Sequence, residues 1–190
     1  MKWLALKLVN LLGWRVVGEM PDDPKMVIVA APHTSNWDYV LFLGVIAHFH
    51  LTVRVLIKDT VFWGPLGAML RHFGGIPVDR SEAHSLVPTT TRAFNEADRL
   101  LLVITPEGTR SKVDHWHSGF WRIADAADVP ILTAIVDGST KTVGLGPARK
   151  VDGDPQAWME FAADVYDGKT GWNSSKVGPV RLKEEPPHAT

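Results

Sequence analysis

Apolar residues fall along the chain in short unbroken runs, separated by longer stretches in which they recur at helical spacing. The run at 26–31, Met-Val-Ile-Val-Ala-Ala, has the length and β-branched content of a buried strand. Further strands are expected at 52–57, 76–79, 100–105 and 130–136, and helices at 37–49, 61–72, 83–98, 118–128 and 155–166. Strands alternating with helices predict a single α/β domain: a mostly parallel mixed sheet flanked by helices. Open sheets of this kind bind ligands beyond the C-terminal ends of their strands, which directs attention to the segments after residues 31 and 104.

The first 17 residues carry a different pattern. Nearly all are apolar except Lys2, Lys7, Asn10 and Arg15. On a helix, Trp3, Lys7, Asn10 and Trp14 gather within about 60° and leave leucines and valines to cover much of the remaining surface. The stretch is too short to span a bilayer, which takes ~20 apolar residues, and no small-residue cleavage site follows it. Tryptophans and three cations ahead of Glu19 suit a helix lying in an anionic membrane interface. A terminal helix packed on the domain's own core is the other reading. The expected organisation is thus an N-terminal interfacial helix within 1–20, a domain over 21–182 and a disordered tail over 183–190.

After the first strand comes Ala-Pro-His-Thr-Ser-Asn-Trp-Asp, 31–38. Thr34, Ser35 and Asn36 can each cap the helix that follows, so His33 and Asp38 straddle a strand-to-helix turn. Five residues apart, they lie about 140° from one another on a helix and on opposite faces of a strand, so direct contact requires His33 in the turn. A neutral imidazole held in one tautomer by a carboxylate can take a proton from an alcohol. A surface pair or a satisfied turn histidine would use the same two residues.

Two further segments bear on that choice. Thr105-Pro106-Glu107-Gly108-Thr109-Arg110-Ser111 follows the strand at 100–105, and Gly74-Gly75-Ile76-Pro77-Val78-Asp79-Arg80 precedes a helix. Glycine after a strand lets backbone amides approach an anion, and arginine forks suit phosphate. Solvated turns and a structural Asp79–Arg80 pair would account for either segment alone.

In this order the segments resemble the motifs of the glycerolipid acyltransferase family, which includes the 1-acylglycerol-3-phosphate acyltransferases. The family's His-x-x-x-x-Asp falls on His33 and Asp38, its Gly-x-x-x-x-Arg on Gly75 to Arg80, its Pro-Glu-Gly-Thr-Arg-Ser on Pro106 to Ser111, and its Val-Pro-Ile on Val129 to Ile131. Pro32 stands where Asn is common, Thr105 where Phe is usual, and the second proline of the fourth block is missing.

The resemblance implies acyl transfer from a thioester donor, acyl-CoA or acyl carrier protein, to a hydroxyl of a lysophospholipid such as 1-acylglycerol-3-phosphate, directly and with no cofactor. His33 and Asp38 would be catalytic. Gly75, Arg80, Glu107, Gly108, Thr109 and Arg110 would bind the acceptor, with Lys58 a further phosphate or donor contact. Backbone amides after His33 would hold the oxyanion, and Phe62, Trp63, Leu66, Met69 and Leu70 are candidates for an acyl groove. A peripheral membrane protein on the cytoplasmic face follows. A thioesterase or lipid hydrolase using the same pair, and a non-catalytic lipid-binding protein, are the alternatives.

Composition narrows the field. Apolar residues make up 45%, mean hydropathy is near zero and net charge is −1, which is ordinary for a globular domain and offers no basic field for nucleic acid. Without cysteine there is no thiolate nucleophile and no cysteine zinc site. His48/His50 and His115/His117 lack a third ligand at recognisable spacing, so no metal is expected. Gly168-Lys169-Thr170 lacks the leading glycine of a phosphate-binding loop, and Ser118-Gly119 that of a nucleophile elbow.

Overall fold

The computed structural model describes residues 2–72, 74–78 and 83–183. Seven strands form one sheet in the order β1-β7-β6-β2-β5-β3-β4: β1 (Arg15–Val17), β2 (Lys25–Ala31), β3 (Val53–Lys58), β4 (Gly75–Val78), β5 (Leu100–Ile104), β6 (Ile131–Asp137) and β7 (Thr142–Arg149). Every neighbouring pair is parallel except β6–β7. Helices α1 (Lys2–Leu11), α2 (Trp37–His48), α3 (Gly64–His72), α4 (Ala83–Glu96), α5 (Gly119–Ala126) and α6 (Pro155–Tyr166) surround it. The architecture is the expected single α/β domain.

Period-two alternation in the central strands sends side chains to two cores. Met26, Ile28, Leu101 and Val103 pack with Leu41 and Val45 of α2 and Val9 of α1, whereas Val27, Val29 and Leu102 meet Phe94, Phe120 and Trp158 from α4, α5 and α6. Both faces being covered explains why β2 and β5 read as continuous apolar runs.

Two strands went unread. β7 contains Gly144, Gly146 and Pro147, all strand-disfavouring, yet β1 pairs with it only up to Gly144, so Pro147 sits where β7 has β6 alone beside it. β1 lies inside the stretch expected to be helical. The helix stops at Leu11, and a turn at Gly13 carries the chain into the sheet, where Arg15–Val17 pair with Thr142–Gly144. An interfacial helix over 1–17 is therefore too long, and residues 15–17 belong to the sheet of the main domain. Val9 and Trp14 are buried, while Leu4, Leu8 and Leu11 are 66%, 38% and 83% exposed. One side of α1 thus packs on α2 and its leucine side does not. No described helix is long and apolar enough to cross a membrane. Of the expected disordered tail, 184–190 lie outside the described residues.

Candidate active site

Because β2 and β5 are parallel neighbours, with Val29 level with Ile104, their C-terminal ends deliver the 31–38 and 104–111 segments side by side. His33 lies in the turn between Ala31 and Trp37, the placement that contact with Asp38 requires. Its Nδ1 is 3.1 Å from Asp38 Oδ2. The same oxygen accepts the backbone N–H of Thr34 at 2.7 Å and of Ser35 at 2.8 Å. Asp38, buried in the first turn of α2, is thereby fixed by the turn it organises, and the helix dipole favours its charge. A carboxylate facing Nδ1 requires the proton there, leaving Nε2 as the basic nitrogen.

Those amides are then committed. Thr34 and Ser35 N–H point to Asp38, and His33 N–H donates to Glu107 Oε1 at 2.9 Å, so these three amides are not available for the expected oxyanion hole. Asn36 makes no side-chain cap; its Oδ1 accepts from Arg110 Nη1, tying the two segments together.

Glu107 also departs from expectation. It is only 7% exposed and lines a small cavity of about 330 Å³ with Trp116 and Tyr166, on the far side of Pro32 from the main groove. Burial raises its carboxyl above the ordinary range, and the bond from His33 N–H offsets only part of that. Glu107 thus holds the histidine's backbone through Oε1 and is not among the residues that border the main groove. Tyr166 beside it donates its hydroxyl to Val29 O at 2.8 Å; burial, with Glu107 nearby, raises it well above the ordinary phenol range.

The main groove, about 780 Å³, runs from His33 and Asp38 between α2 and the sheet. Its apolar walls come from Phe42, Leu43 and Ile46 of α2 and Val53, Val55 and Ile57 of β3. Of the five residues expected to line an acyl groove, only Leu70 does so; Trp63 is 67% exposed, and Phe62 lies under the Arg71 guanidinium. No residue pattern marks these walls, because both α2 and β3 look like core. Gly75, Gly108, Thr109, Arg110 and Lys58 all border the groove. Gly75 has a packing reason as well, since a Cβ there would meet Leu70 O at 2.8 Å. Arg80 lies outside the described residues. Among the described residues no three His, Asp or Glu side chains gather as metal ligands, and His115 and His117 meet edge to face.

A histidine–aspartate pair thus stands at the head of an apolar groove in an α/β domain, with an arginine and a lysine on the groove's border. The chain belongs to the acyltransferase family, whose model matches residues 15–137. Among solved structures it is similar to the 1-acyl-sn-glycerophosphate (LPA) acyltransferase PlsC from Thermotoga maritima, at 18% identity and a TM-score of 0.60 over 86% of this chain and 74% of that one, a likeness of fold. No curated protein matches.

Proposed function

We propose that this acyltransferase moves a fatty acyl group from acyl-CoA or acyl carrier protein to a hydroxyl of a lysophospholipid such as 1-acylglycerol-3-phosphate. The observation that carries the reading is the 3.1 Å contact of His33 Nδ1 with Asp38 at the head of the apolar groove. His33 Nε2 takes the acceptor's hydroxyl proton as its oxygen attacks the thioester carbonyl. Collapse of the tetrahedral adduct expels the thiolate, which recovers the proton from the imidazolium, and Asp38 stabilises that cation. The acyl chain lies along Phe42, Leu43 and Ile46. The deciding assay follows thiol release from acyl-CoA with and without 1-acylglycerol-3-phosphate. Acceptor-dependent release with formation of diacyl product supports transfer; release independent of acceptor would assign the pair to hydrolysis.

Arg110, with Arg80, grips the acceptor phosphate in this reading, and Gly108, Thr109, Gly75 and Lys58 border the same space. A charge-assisted bond of roughly 1.5–3 kcal/mol makes Arg110→Ala raise the acceptor KM by ~10- to 100-fold. A dephosphorylated acceptor should erase most of the difference from wild type, and the donor KM should move little. Equal effects on both acceptors would make Arg110 a structural partner of Asn36.

The exposed leucines of α1 suit attachment to the surface of a bilayer, from which a lysolipid would enter, and we place the protein peripherally on the cytoplasmic face. Because Val9 and Trp14 are core residues, truncating through residue 17 should unfold the domain. Leu4→Ser, Leu8→Ser and Leu11→Ser together should instead leave the melting temperature nearly unchanged. Each leucine inserted in lipid contributes roughly 1.5–3 kcal/mol, so cosedimentation with anionic vesicles should fall more than tenfold. Vesicle binding undiminished in the triple variant would remove the leucines from the membrane contact.

A further inference from the structure

The family match ends at Asp137, yet the backbone that closes over the catalytic turn comes from beyond it. Residues 170–173 leave the end of α6, pair with the end of β6 through Gly171 N–H to Val136 O at 3.2 Å, and reach the turn holding His33. Thr34, almost completely buried, accepts the N–H of Asn173 on Oγ1 at 3.0 Å while its own N–H donates to Asp38. Gly171, with φ of +62°, presses so closely that a Cβ would stand 2.8 Å from Thr34 Oγ1. The next residue, Trp172, is sandwiched: its ring lies 5.2 Å from Trp14 at 5°, and 5.5 Å from Trp37 at 14°. Trp37 opens α2, immediately before Asp38.

These contacts grip both halves of the pair. One reaches Thr34, next to His33; another reaches Trp37, next to Asp38; and the segment between them is itself pinned to β6 and to Trp14 of the N-terminal turn. The alignment of imidazole with carboxylate depends on the relative placement of the turn and the first turn of α2. Stacked indoles hold such placement well, being large, flat and limited to two side-chain rotations.

We propose that Gly171, Trp172 and Asn173 form a positioning strap that sets the His33–Asp38 alignment, with Trp172 and Thr34 as its positioning residues. The proposal rests on the catalytic reading above for its kinetic consequences but not for its geometric one. Loss of the strap lets His33 and Asp38 drift apart, which lowers turnover and frees the imidazole to sample its second tautomer. The groove walls on α2 and β3 are untouched, so substrate binding stays.

The test combines kinetics with nitrogen-15 NMR of histidine-labelled protein, the His33 signal being assigned by His33→Gln. Trp172→Ala should lower kcat by roughly 10- to 100-fold, with donor and acceptor KM nearly constant. Its His33 nitrogen shifts should move from the Nδ1–H form towards mixed-tautomer values, and Trp172→Phe should restore both readouts. Thr34→Val, which replaces the oxygen accepting Asn173 N–H by a methyl group, should do the same to a smaller degree and decides the matter if Trp172→Ala fails to fold. Unchanged His33 shifts in a folded Trp172→Ala, or in Thr34→Val in its place, would overturn the strap. If no lysophospholipid accepts an acyl group, the tautomer measurement still reads the strap while the catalytic reading falls.

Discussion

His33→Ala is expected to lower kcat by ~10² to 10⁴ in a protein that keeps its fold, because general-base assistance is worth about that much and the ring is partly exposed. Asp38→Asn should approach the same loss by a different route. Oδ2 of Asp38 is shared by His33 Nδ1 and the N–H groups of Thr34 and Ser35. An asparagine whose oxygen takes the Oδ2 position keeps those three contacts but loses the negative charge that stabilises the imidazolium, and it buries an NH₂ where Oδ1 has no hydrogen-bond partner. Initial rates at saturating donor and acceptor, with circular dichroism on each variant, check both. Near-normal turnover in folded His33→Ala would remove this mechanism.

Glu107→Leu should cost about as much activity as a groove residue without touching substrate. It leaves His33 N–H without its acceptor, a loss of roughly 1–3 kcal/mol of stability, and releases the backbone that aims the ring; a kcat drop of ~10² follows. Glu107→Gln keeps an acceptor oxygen and should stay near wild type in rate. The two also separate in pH dependence. The folded protein raises the Glu107 carboxyl above its ordinary 4.5, so between that pH and the raised value the native state binds more protons than the unfolded one. Wild-type stability therefore declines as pH rises through this window, while the neutral glutamine contributes no such decline. Denaturation midpoints taken upward from pH 4.5 should show Glu107→Gln gaining on wild type. Parallel curves would mean that Glu107 titrates as a solvated carboxyl.

What could be read from the chain was what local chemistry encodes. The five strands called from apolar runs are strands, and α6 occupies the very span its periodicity indicated, because their burial is continuous enough to leave a periodic trace. β1 was lost because three residues after a helix have no period. β7 was lost because its glycines and proline are excused only by the neighbours they meet. The same division runs through the site. His33, Asp38 and the arginine block are visible by spacing, since a turn between a strand and a helix fixes them locally.

Nothing in the spacing told Glu107 from a groove residue. Its role depends on β5 lying beside β2, which brings its carboxylate to His33 N–H across 74 positions and turns it away from the groove. Trp14 read as a headgroup tryptophan until Trp172, far along the chain, stacked on it. Thus the sequence by itself determined the strand-turn-helix that carries the histidine and aspartate, through short-range sterics, capping and hydrophobic period. The tertiary structure decided which amides and carboxylates were already spent, and where the apolar groove runs, because both are set by contacts between segments whose separation leaves no local pattern to read.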